Sequence, residues 1–499
     1  MDLDRSSNNF SLPSDYADSI AQIITLEKDK LERQKLGQFF TPKLTAKKFV
    51  EFCNLSVTKE VISICEPACG LGILSCSLIE QLCKNNSVKQ IDLTCFEIDL
   101  EIINFTKSIL DSLKNYCLKF DVTLNYNLIA DDFILYYKDV LQSENNYSQF
   151  DIIICNPPFF KLNNYDERVK LAKKILYGLP NIYTIFFYIS TKVVNQKGYL
   201  YFLIPRSFCS DSFYKQYRKH FIDYINFNKI HLFSSEDKIF DSHCVLYEFI
   251  FLSAVKEEIF NEYPIFISHS QTVNSESDVI LNYSFNLNTN TIPLPSSNKD
   301  LFILKKLNSY NQSLRSLGFI NKYGKLIITK VDKYLLKEQN LNTYPVIWLH
   351  NIESTNFVFP VNNKYPNYIL NTSDITQYLI NNENYIFFRR YNNNDYIKRI
   401  VATVYQKGAI NSDYLAIDRL VGVLHQESDD LPIETYCGLT AYLNSEIVNS
   451  YFRMINGIIN VTGEMILDLP IPNTDVINYV GIEIIKNKII DIELIFLQS

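Results

Sequence analysis

The sequence predicts an α/β domain with a mostly parallel sheet and helices on both faces, followed by a C-terminal α+β domain. The first observation behind this prediction is the alternation of short apolar runs with longer amphipathic segments between residues 61 and 208. This pattern is typical of a parallel sheet that is covered on both faces. The second is a change after about residue 300, where short strand patterns, Tyr, Asn and clusters of Lys and Arg dominate. A chain of 499 residues has room for such a division.

The elements of the sheet follow one another along the chain. Apolar and β-branched runs predict strands at residues 61–65, 93–98, 124–130, 151–155 and 199–204. Helical spacing of apolar residues predicts helices at 73–82, 102–118 and 182–194. Two further apolar runs, 225–233 and 245–252, predict an antiparallel finish. In such a sheet, ligands bind at the carboxyl ends of the strands.

Composition also divides the chain into segments. Residues 1–36 are predicted to form an N-terminal helical extension, because apolar residues from Tyr16 onward have helical spacing. The predicted sheet then occupies a domain at 37–270. Ser, Asn, Thr and Pro accumulate between 271 and 300, which predicts a linker or loop-rich boundary. Residues 301–499 form the predicted second domain.

Composition excludes several classes of protein. The net charge of −7 rules out a bulk polycation, so nucleic-acid binding would need basic residues concentrated on one face. The eleven cysteines are odd in number and lie mostly in apolar runs, as free thiols of a reducing cytosol do. The six histidines are scattered, and although Cys65 and Cys69 are four positions apart, no matching Cys or His pair lies within the distance of a zinc finger, so no metal site is predicted. The acidic first residues are not a signal peptide, and no apolar run approaches the ~20 residues of a membrane span.

The first candidate site is a turn between the first predicted strand and its helix, with the sequence Glu-Pro-Ala-Cys-Gly-Leu-Gly at 66–72. Only 13 residues of the chain are glycine, so two in one turn are informative. Glycine permits positive φ and close approach of the backbone to a ligand, and a helix N-terminus presents N–H groups to it. Position 75 is Ser, so the turn is not a G-x-G-x-x-G sequence. An ordinary tight turn is the alternative interpretation.

Two acidic candidates follow the next two strands. Glu97 ends the second strand, where an acid can bind ribose hydroxyls, and Asp99 is the alternative at the same place. Asp132 follows the third strand, where a carboxylate can accept a hydrogen bond from an exocyclic amine while Phe133 flanks an adenine ring. Taken alone, Glu97 could equally be a surface acid, and Asp132 a helix N-cap before a core Phe.

The decisive motif is Asn156-Pro157-Pro158-Phe159, directly after the buried strand at 151–155. Two prolines remove two N–H donors and stiffen the loop, so the Asn156 side-chain oxygen and the Pro157 carbonyl can face one donor. An aromatic amine is a poor nucleophile because its lone pair is delocalised into the ring. Two acceptors on its N–H groups favour a pyramidal nitrogen and free that lone pair. Phe159 would stack on the base; a rigid loop with a core Phe is the alternative.

Together these motifs resemble those of the S-adenosylmethionine-dependent adenine-N6 DNA methyltransferases of type II restriction–modification systems. The matching segments, in the order of the gamma class of that family, are 37–42, 66–72, 96–99, 132–133 and 156–159. Looser matches are a hairpin at 229–249 and, as in the PstI/BsuBI-like group, segments 387–391, 398–405 and 443–461. The resemblance covers roughly residues 35–470 and implies a Rossmann-like methyltransferase domain followed by a target-recognition domain.

The resemblance implies S-adenosyl-L-methionine as the cofactor. Thr41 should touch its methionine end, Glu97 should bind the ribose hydroxyls, and Asp132 should accept from the adenine amine. The methionine and ribose should also be lined by Glu66, Ala68, Gly70 and Gly72, and the adenine ring by Ile98 and Phe133.

The resemblance also implies how the target is held. Asn156 and Pro157 should bind the amine of a flipped adenine, Pro158 should stiffen the loop, and Phe159 should stack on the base. Phe240 is a weaker candidate for the opposite face of that base. Direct displacement at the methyl group needs no metal and no covalent intermediate, so Cys155 is interpreted as a buried strand residue.

Basic residues of the second half are candidates for binding double-stranded DNA. Between residues 305 and 337, eight Lys and Arg residues face one acid, Asp332, and tyrosines are interspersed. The candidate contacts are Lys322, Lys325, Lys330, Arg389, Arg390, Arg399 and Arg453. Such side chains contact phosphates, and Arg can read guanine edges. A set of solvated surface charges is the alternative.

The resemblance further implies a monomer in the bacterial cytoplasm, associated with the nucleoid, and a cognate restriction endonuclease encoded nearby. The alternatives are a protein-glutamine N-methyltransferase, an RNA-adenine N-methyltransferase, and a catalytically silent DNA-specificity subunit. The glutamine enzymes share the Asn-Pro-Pro-aromatic motif but resemble short single domains. A silent subunit need not keep that motif intact.

Overall fold

The chain divides into two compact units, Met1–Ser296 and Ser297–Ser499, and the division falls inside the predicted boundary at 271–300. This computed structural model describes residues 10–27, 39–55, 57–143, 147–175, 181–210, 214–233, 249–258, 262–273, 275, 279–286, 291–354, 356–362, 364–390, 398–428, 431–456 and 461–499.

The first unit is built on a nine-stranded sheet with the order β3-β2-β1-β4-β5-β7-β6-β8-β9. Its strands are β1 (Val61–Glu66), β2 (Gln90–Phe96), β3 (Thr123–Ile129), β4 (Phe150–Cys155), β5 (Val194–Pro205), β6 (Asn226–Phe233), β7 (Phe249–Val255), β8 (Glu262–Ser270) and β9 (Val279–Asn286). Strands β1 to β5 are mutually parallel, whereas β7 runs antiparallel to both β5 and β6. The predicted parallel sheet with an antiparallel finish is therefore confirmed.

Helices of the first unit connect these strands and bury apolar stripes. They are α1 (Pro13–Glu27), α2 (Lys43–Cys53), α3 (Ile73–Leu82), α4 (Ile103–Leu118), α5 (Phe133–Tyr136), α6 (Lys138–Gln142), α7 (Glu167–Leu171), α8 (Ile182–Val193) and α9 (Lys215–Ile222). In α4 the buried positions Ile109, Leu110, Leu113 and Cys117 form one stripe, as the helical period requires. The helices lie between the strands, as the alternation of apolar runs and amphipathic segments predicts.

Helix α1 packs into the core of the first unit. Tyr16, Ala17 and Ile20 are almost fully buried in the same core as the sheet. The backbone N–H of Ser14 donates to the Glu80 carboxylate on α3 over 2.7 Å, and its hydroxyl donates to the other oxygen over 2.8 Å. Residues 1–36 were predicted to form an N-terminal helical extension, and α1 is the helix that the structure describes there.

Several strands differ from the sequence prediction. Strand β5 begins at Val194, before the predicted residue 199, and β8 was not among the predicted strands. Strand β2 begins at Gln90, before the predicted residue 93. The prediction missed this start because Gln90 and Asp92, which lie on the less buried face of the strand, interrupt the apolar run. Strand β9 lies inside the segment expected to be a linker and pairs antiparallel with β8. Its apolar residues alternate with polar ones, so that Leu281 and Tyr283 are buried on one face.

The second unit is α+β, as predicted. Its strands are β10 (Gln312–Ser313), β11 (Phe319–Tyr323), β12 (Leu335–Leu336), β13 (Thr343–Ile347), β14 (Tyr368–Leu370), β15 (Leu379–Asn381), β16 (Tyr385–Arg389), β17 (Ala402–Tyr405), β18 (Tyr414–Ile417), β19 (Val421–Gln426) and β20 (Pro470–Ile471). They form a sheet β11-β19-β16-β17, a sheet β12-β14-β13-β18-β15 and the pair β10-β20. Its helices are α10 (Asn298–Asn308), α11 (Ile328–Val331), α12 (Ile433–Leu443), α13 (Glu446–Asn456), α14 (Gly463–Leu467), α15 (Thr474–Ile485) and α16 (Ile492–Gln498).

Within the described part of the chain, no helix has both the length and the apolar character needed to cross a membrane. The same residues contain no cluster of His, Cys, Asp and Glu side chains placed to hold a metal ion.

Candidate functional site

A cavity of ≈ 330 Å³ lies in the first unit where β1, β2, β3 and β4 end. Its volume is at the lower end of the range for small-molecule sites. Twelve of the sequence candidates line it: Thr41, Glu66, Ala68, Gly70, Glu97, Ile98, Asp132, Phe133, Asn156, Pro157, Pro158 and Phe159. The carboxyl ends of parallel strands therefore bring together motifs that are spread over 119 positions of the sequence, from 41 to 159.

Gly72 does not line the cavity but shapes the turn that does. It is the N-cap of α3 with a left-handed φ of 73°, and Gly70 has φ 53°. The positive φ favours glycine at both positions, and the Phe40 ring packs against Gly70, 3.4 Å from where a Cβ atom would lie. The Thr106 hydroxyl donates to the Gly70 carbonyl over 2.7 Å and holds the turn from α4.

Glu97 fastens the same turn to the end of β2. Its Oε2 accepts from the Gly70 N–H and its Oε1 from the Asp99 N–H, each over 2.8 Å. The side chain is 8% exposed, and burial raises the pKa of Glu97 above its ordinary value. Each carboxylate oxygen keeps a second lone pair that can accept from a ligand.

Glu66 is held by Ser75, a residue that sequence reasoning noted only as a missing glycine. The Ser75 N–H donates to Glu66 Oε2 over 3.0 Å, and the Ser75 hydroxyl donates to the same oxygen. Glu66 is 1% exposed, and burial raises its pKa to about 8. The Ser in place of the third glycine of a G-x-G-x-x-G sequence was the signal that could have revealed this pair.

Asp132 is a helix N-cap, the alternative that the sequence left open, and it also lines the cavity. Its Oδ1 accepts from the N–H groups of Ile134 and Leu135 over 2.7 and 3.2 Å. Phe133 is 1% exposed and stacks on Phe186 with ring centroids 5.2 Å apart. The capping bonds use Oδ1 and not Asp132 Oδ2.

That second oxygen of Asp132 faces Arg168, which the sequence did not single out. Arg168 Nη1 lies 3.3 Å from Asp132 Oδ2, and its Nε and Nη2 donate to the Asp166 carboxylate over 2.9 and 2.6 Å. The guanidinium also lies 5.9 Å from the centre of the Phe160 ring. Arg168 is itself part of the cavity wall, so α7 closes the site beside Asp132.

Asn156 follows the buried Cys155 at the end of β4 and has one unsatisfied atom. Its Nδ2 donates to Thr41 Oγ1 over 2.9 Å and to the Phe39 carbonyl over 3.5 Å. Its Oδ1 is buried and accepts no hydrogen bond from any residue that the structure describes. A buried acceptor without a donor costs about 1–3 kcal/mol, so such an atom is expected where a ligand supplies the donor.

The ring of Phe159 is positioned by two other aromatic rings. Its centroid lies 5.1 Å from that of Phe249 and 6.0 Å from that of Tyr183, with interplanar angles of 59° in both cases. Cys155 is fully buried, and burial raises the pKa of its thiol well above the ordinary value. This agrees with the prediction that Cys155 is a strand residue and not a nucleophile.

The lysine candidates of the second unit are exposed, whereas several arginines are engaged in the fold. Lys322, Lys325 and Lys330 have exposed side chains. The Arg389 Nε donates to the Ile352 carbonyl over 2.8 Å, so this arginine anchors a turn.

The remaining arginine candidates have their own contacts. The Arg390 guanidinium lies 4.0 Å from the centre of the Tyr323 ring, and its Nη1 donates to the Arg419 carbonyl over 2.8 Å. Arg453 forms an ion pair of 3.4 Å with Glu446, and Arg399 is half-buried. Phe240 and Gly37 lie outside the described residues.

The chain is similar to methyltransferases and to a restriction-modification enzyme of known structure. Residues 62–240 match the model of the Eco57I restriction-modification methylase family. The type II methyltransferase M.PstI of Providencia stuartii is 26% identical over 452 residues, which is 88% of this chain and 87% of that protein. The type II methyltransferase M.BsuBI of Bacillus subtilis is 26% identical over 469 residues, 91% of each protein. The solved structure of the type IIL restriction-modification enzyme MmeI in complex with DNA has a TM-score of 0.54 at 12% identity, and covers 94% of this chain and 69% of that one.

These matches confirm the predicted resemblance to the PstI/BsuBI-like group, the methyltransferase fold and the cofactor, S-adenosyl-L-methionine. The cavity also fits this cofactor chemically. Its amines and ribose hydroxyls are hydrogen-bond donors, and the wall carries the acceptor carboxyl groups of Glu66, Glu97 and Asp132. Its adenine is flat and apolar on both faces, and the wall beside Asp132 is aromatic.

Proposed function

We propose that this relative of the type II methyltransferases transfers a methyl group from S-adenosyl-L-methionine to the N6 amine of an adenine in double-stranded DNA, as the modification enzyme of a restriction–modification system. The observation that carries the proposal is the buried Asn156 Oδ1, which lacks a donor among the described residues while its Nδ2 is held by Thr41. An exocyclic amine supplies the missing donor. M.PstI and M.BsuBI, which are similar over about nine tenths of the chain, are named type II methyltransferases.

In this proposal the protein activates the amine by hydrogen bonding. Asn156 Oδ1 and the Pro157 carbonyl accept its two N–H bonds, which turns the nitrogen lone pair away from the ring and toward the methyl donor. The bound cofactor supplies an electrophilic methyl group. The catalytic contribution of the protein is then the positioning of reacting atoms and the polarisation of the amine.

The cofactor side of the cavity has a matching assignment. Glu97 receives the ribose hydroxyls on the lone pairs that Gly70 and Asp99 leave open. Asp132 Oδ2 accepts from the adenine amine and shares this oxygen with Arg168. The adenine ring packs beside Phe133, and Ile98, which is 56% exposed, covers its open face. Thr41, Glu66, Ala68 and Gly70 enclose the methionine and ribose, and Gly72 sets the turn that presents Gly70.

The target adenine must leave the duplex to reach this cavity, because its amine is otherwise inside the base stack. Phe159 receives it by stacking, which offsets about 1–3 kcal/mol of the cost of extrusion. Phe249 and Tyr183 hold the Phe159 ring in place before the base arrives. The amine is thereby carried to Asn156.

The second unit supplies DNA contacts in this proposal. The exposed Lys322, Lys325 and Lys330 contact phosphates. Arg390 joins them because it lies over the ring of Tyr323, the residue after Lys322 in β11. Arg399 and Arg453 are further DNA contacts. Arg389 instead stabilises this unit through its hydrogen bond to the Ile352 carbonyl. The enzyme acts as a monomer in the bacterial cytoplasm, with a cognate endonuclease encoded nearby.

One experiment tests the proposal. The purified chain is incubated with unmodified genomic DNA, duplex RNA and a cell lysate, each with cofactor labelled in the methyl group, and modified DNA bases are mapped by sequencing. We expect N6-methyladenine at one short DNA sequence. Label on RNA or on protein glutamine, with none on DNA, would show that the labelled molecule is the substrate instead of adenine in DNA. DNA binding with no transfer to any substrate would indicate a silent specificity subunit.

A further inference from the structure

A loop directly after the catalytic motif carries an unusually exposed aromatic residue. Phe160 and Arg168 both line the cavity, and the loop runs between them. Between them, Tyr165 is 84% exposed. Large aromatic side chains contribute most when they are buried, so a ring held in solvent beside a ligand cavity indicates a contact with something outside the chain.

The loop is anchored, so the exposure of Tyr165 does not come from a frayed segment. At its start, the Ile182 N–H donates to the Phe160 carbonyl over 3.0 Å. Leu162 is 3% exposed and Ala172 is fully buried, which fixes both flanks in the first unit. At its middle, Arg168 is paired with Asp132 and Asp166.

The turn at the tip is also defined by hydrogen bonds. The Tyr165 N–H donates to Asn163 Oδ1 over 3.0 Å, and the Asp166 N–H donates to the Asn163 carbonyl over 2.9 Å. Asn163 thus closes an Asx turn that presents the ring of Tyr165. Four residues lie between Phe160 and Tyr165, so the Cα atom of Tyr165 is at most about 17 Å from that of Phe160 in the cavity wall.

The loop is locally basic in an acidic chain. Residues 161–174 contain five Lys and Arg residues and two acids, a local charge of 5 − 2 = +3, against −7 for the whole chain. The lysines at positions 161, 170, 173 and 174 are exposed. Exposed lysines around an exposed aromatic ring are the combination that binds a phosphate backbone and a base face together.

We propose that residues 161–174 contact duplex DNA at the mouth of the cavity. In this arrangement Tyr165 stacks on a base next to the extruded adenine, and Lys170 and Lys174 contact neighbouring phosphates. The inference rests on the proposed function and adds a DNA contact in the first unit, outside the residues after 300 where sequence reasoning located the DNA surface. Stacking of the ring in the gap stabilises the extruded state, as apolar wedges do in other bent or opened duplexes.

The first test measures extrusion and not only activity. A duplex with the methylation sequence carries 2-aminopurine at the target adenine, which fluoresces when it leaves the stack, and S-adenosylhomocysteine is present. We expect Tyr165→Ala to weaken binding of this duplex and reduce its fluorescence rise by roughly tenfold, within the range for one base–aromatic stack, and Tyr165→Phe to retain both. The matched control is Tyr479→Ala on α15, since Tyr479 is 52% exposed in the second unit.

The second test concerns the lysines. The double variant Lys170→Gln, Lys174→Gln should lower the slope of log affinity against log salt by about 2, which is roughly 0.9 for each lost phosphate contact. Lys107→Gln, Lys114→Gln, two exposed lysines on α4, should leave the slope unchanged.

The outcomes separate the inference from the function on which it rests. If the wild-type chain methylates DNA while Tyr165→Ala behaves like Tyr479→Ala, the role of the loop is overturned and the function remains. A wild-type chain that neither binds nor methylates duplex DNA overturns both. If duplex RNA or an acidic protein binds in a Tyr165-dependent manner and DNA does not, DNA is the wrong partner for the loop.

Discussion

The side-chain amide of Asn156 donates to the hydroxyl oxygen of Thr41 over 2.9 Å. Thr41 precedes α2 and Asn156 follows β4, so the bond joins the segment before α2 to the end of β4. An amide can turn its oxygen and nitrogen by rotation about one bond, and only the orientation with Nδ2 toward Thr41 leaves Oδ1 as a free acceptor. The Thr41 hydroxyl can accept or donate, whereas the Phe39 carbonyl, 3.5 Å from Nδ2, can only accept. The two groups together favour the orientation that the proposed chemistry requires.

Thr41→Val should slow methyl transfer in a single turnover by roughly tenfold, because it removes an acceptor worth about 1 kcal/mol while keeping the shape of the side chain. Thr41→Ser keeps the hydroxyl and should restore most of the rate. The measurement is rapid-quench transfer of labelled methyl at saturating cofactor and DNA. Equal rates for the Val and Ser variants would show that the hydroxyl does not orient the amide.

Asn156→Ala should reduce transfer by at least about a hundredfold, because it removes an acceptor that polarises the reacting amine. Cofactor affinity, measured by calorimetry, should stay within about threefold of the wild type, because the Asn156 side chain is assigned to the target amine and not to the cofactor. Asn104→Ala, at an exposed position on α4, is the matched control. Loss of cofactor binding together with activity would instead assign Asn156 to the cofactor.

Asp132→Asn should separate folding from cofactor binding. Asn is as good an N-cap as Asp, so its Oδ1 can still accept from Ile134 and Leu135 and the thermal midpoint should change little. The amide nitrogen cannot accept from an adenine amine, so cofactor affinity should fall about tenfold or more. Asp132→Ala should lose both properties. If Asp132→Asn bound cofactor like the wild type, Asp132 would be a capping residue alone.

The stability of the cofactor-free chain should fall as pH rises from about 4.5 to 8. Burial raises the pKa of Glu66 to about 8, so in this window the folded chain holds a proton that the unfolded chain has released. Each such group makes unfolding easier by up to about 1.4 kcal/mol per pH unit. Glu66→Gln cannot ionise and should make the decline less steep in urea unfolding at pH 5, 6.5 and 8. Glu101→Gln, at an exposed position, should not; an unchanged slope in Glu66→Gln would contradict the burial argument.

DNA affinity should weaken steeply between about 50 and 200 mM salt, because phosphate contacts release counterions. The triple variant Lys322→Gln, Lys325→Gln, Lys330→Gln should lower the salt slope by roughly 3. Three exposed lysines of the first unit, Lys84, Lys107 and Lys114, provide a control variant of equal charge. If both triple variants had the same salt slope, Lys322, Lys325 and Lys330 would not be phosphate contacts.

Local sequence was enough to locate strands β1 to β4 and the motifs at their ends. Asn156 follows an apolar run that could only be a buried strand, and the adjacent prolines allow few loop conformations. The position of the cavity then follows from the rule that parallel strands end at one edge. The glycines could be assigned to a turn because the chain has so few of them.

The pairings inside the site could not be predicted, because they join residues that are distant in sequence. Nothing near Thr41 indicates Asn156, and nothing near Asp132 indicates Arg168. Ser75 was visible only as a departure from a glycine pattern, although it is the residue that holds Glu66. Strand β9 was missed since its apolar residues alternate with Ser and Asn and so resemble a loop.

The contribution of α1 to the cavity has a practical consequence. Ala17 and Ala21 line the cavity, lie outside the matched family segment at 62–240, and donate or accept no side-chain hydrogen bond. Their side chains therefore set the width of the cavity without taking part in its chemistry. Replacing Ala21 with Gly widens this wall and replacing it with Val narrows it, so α1 offers an adjustable surface for admitting synthetic cofactors with larger transferable groups.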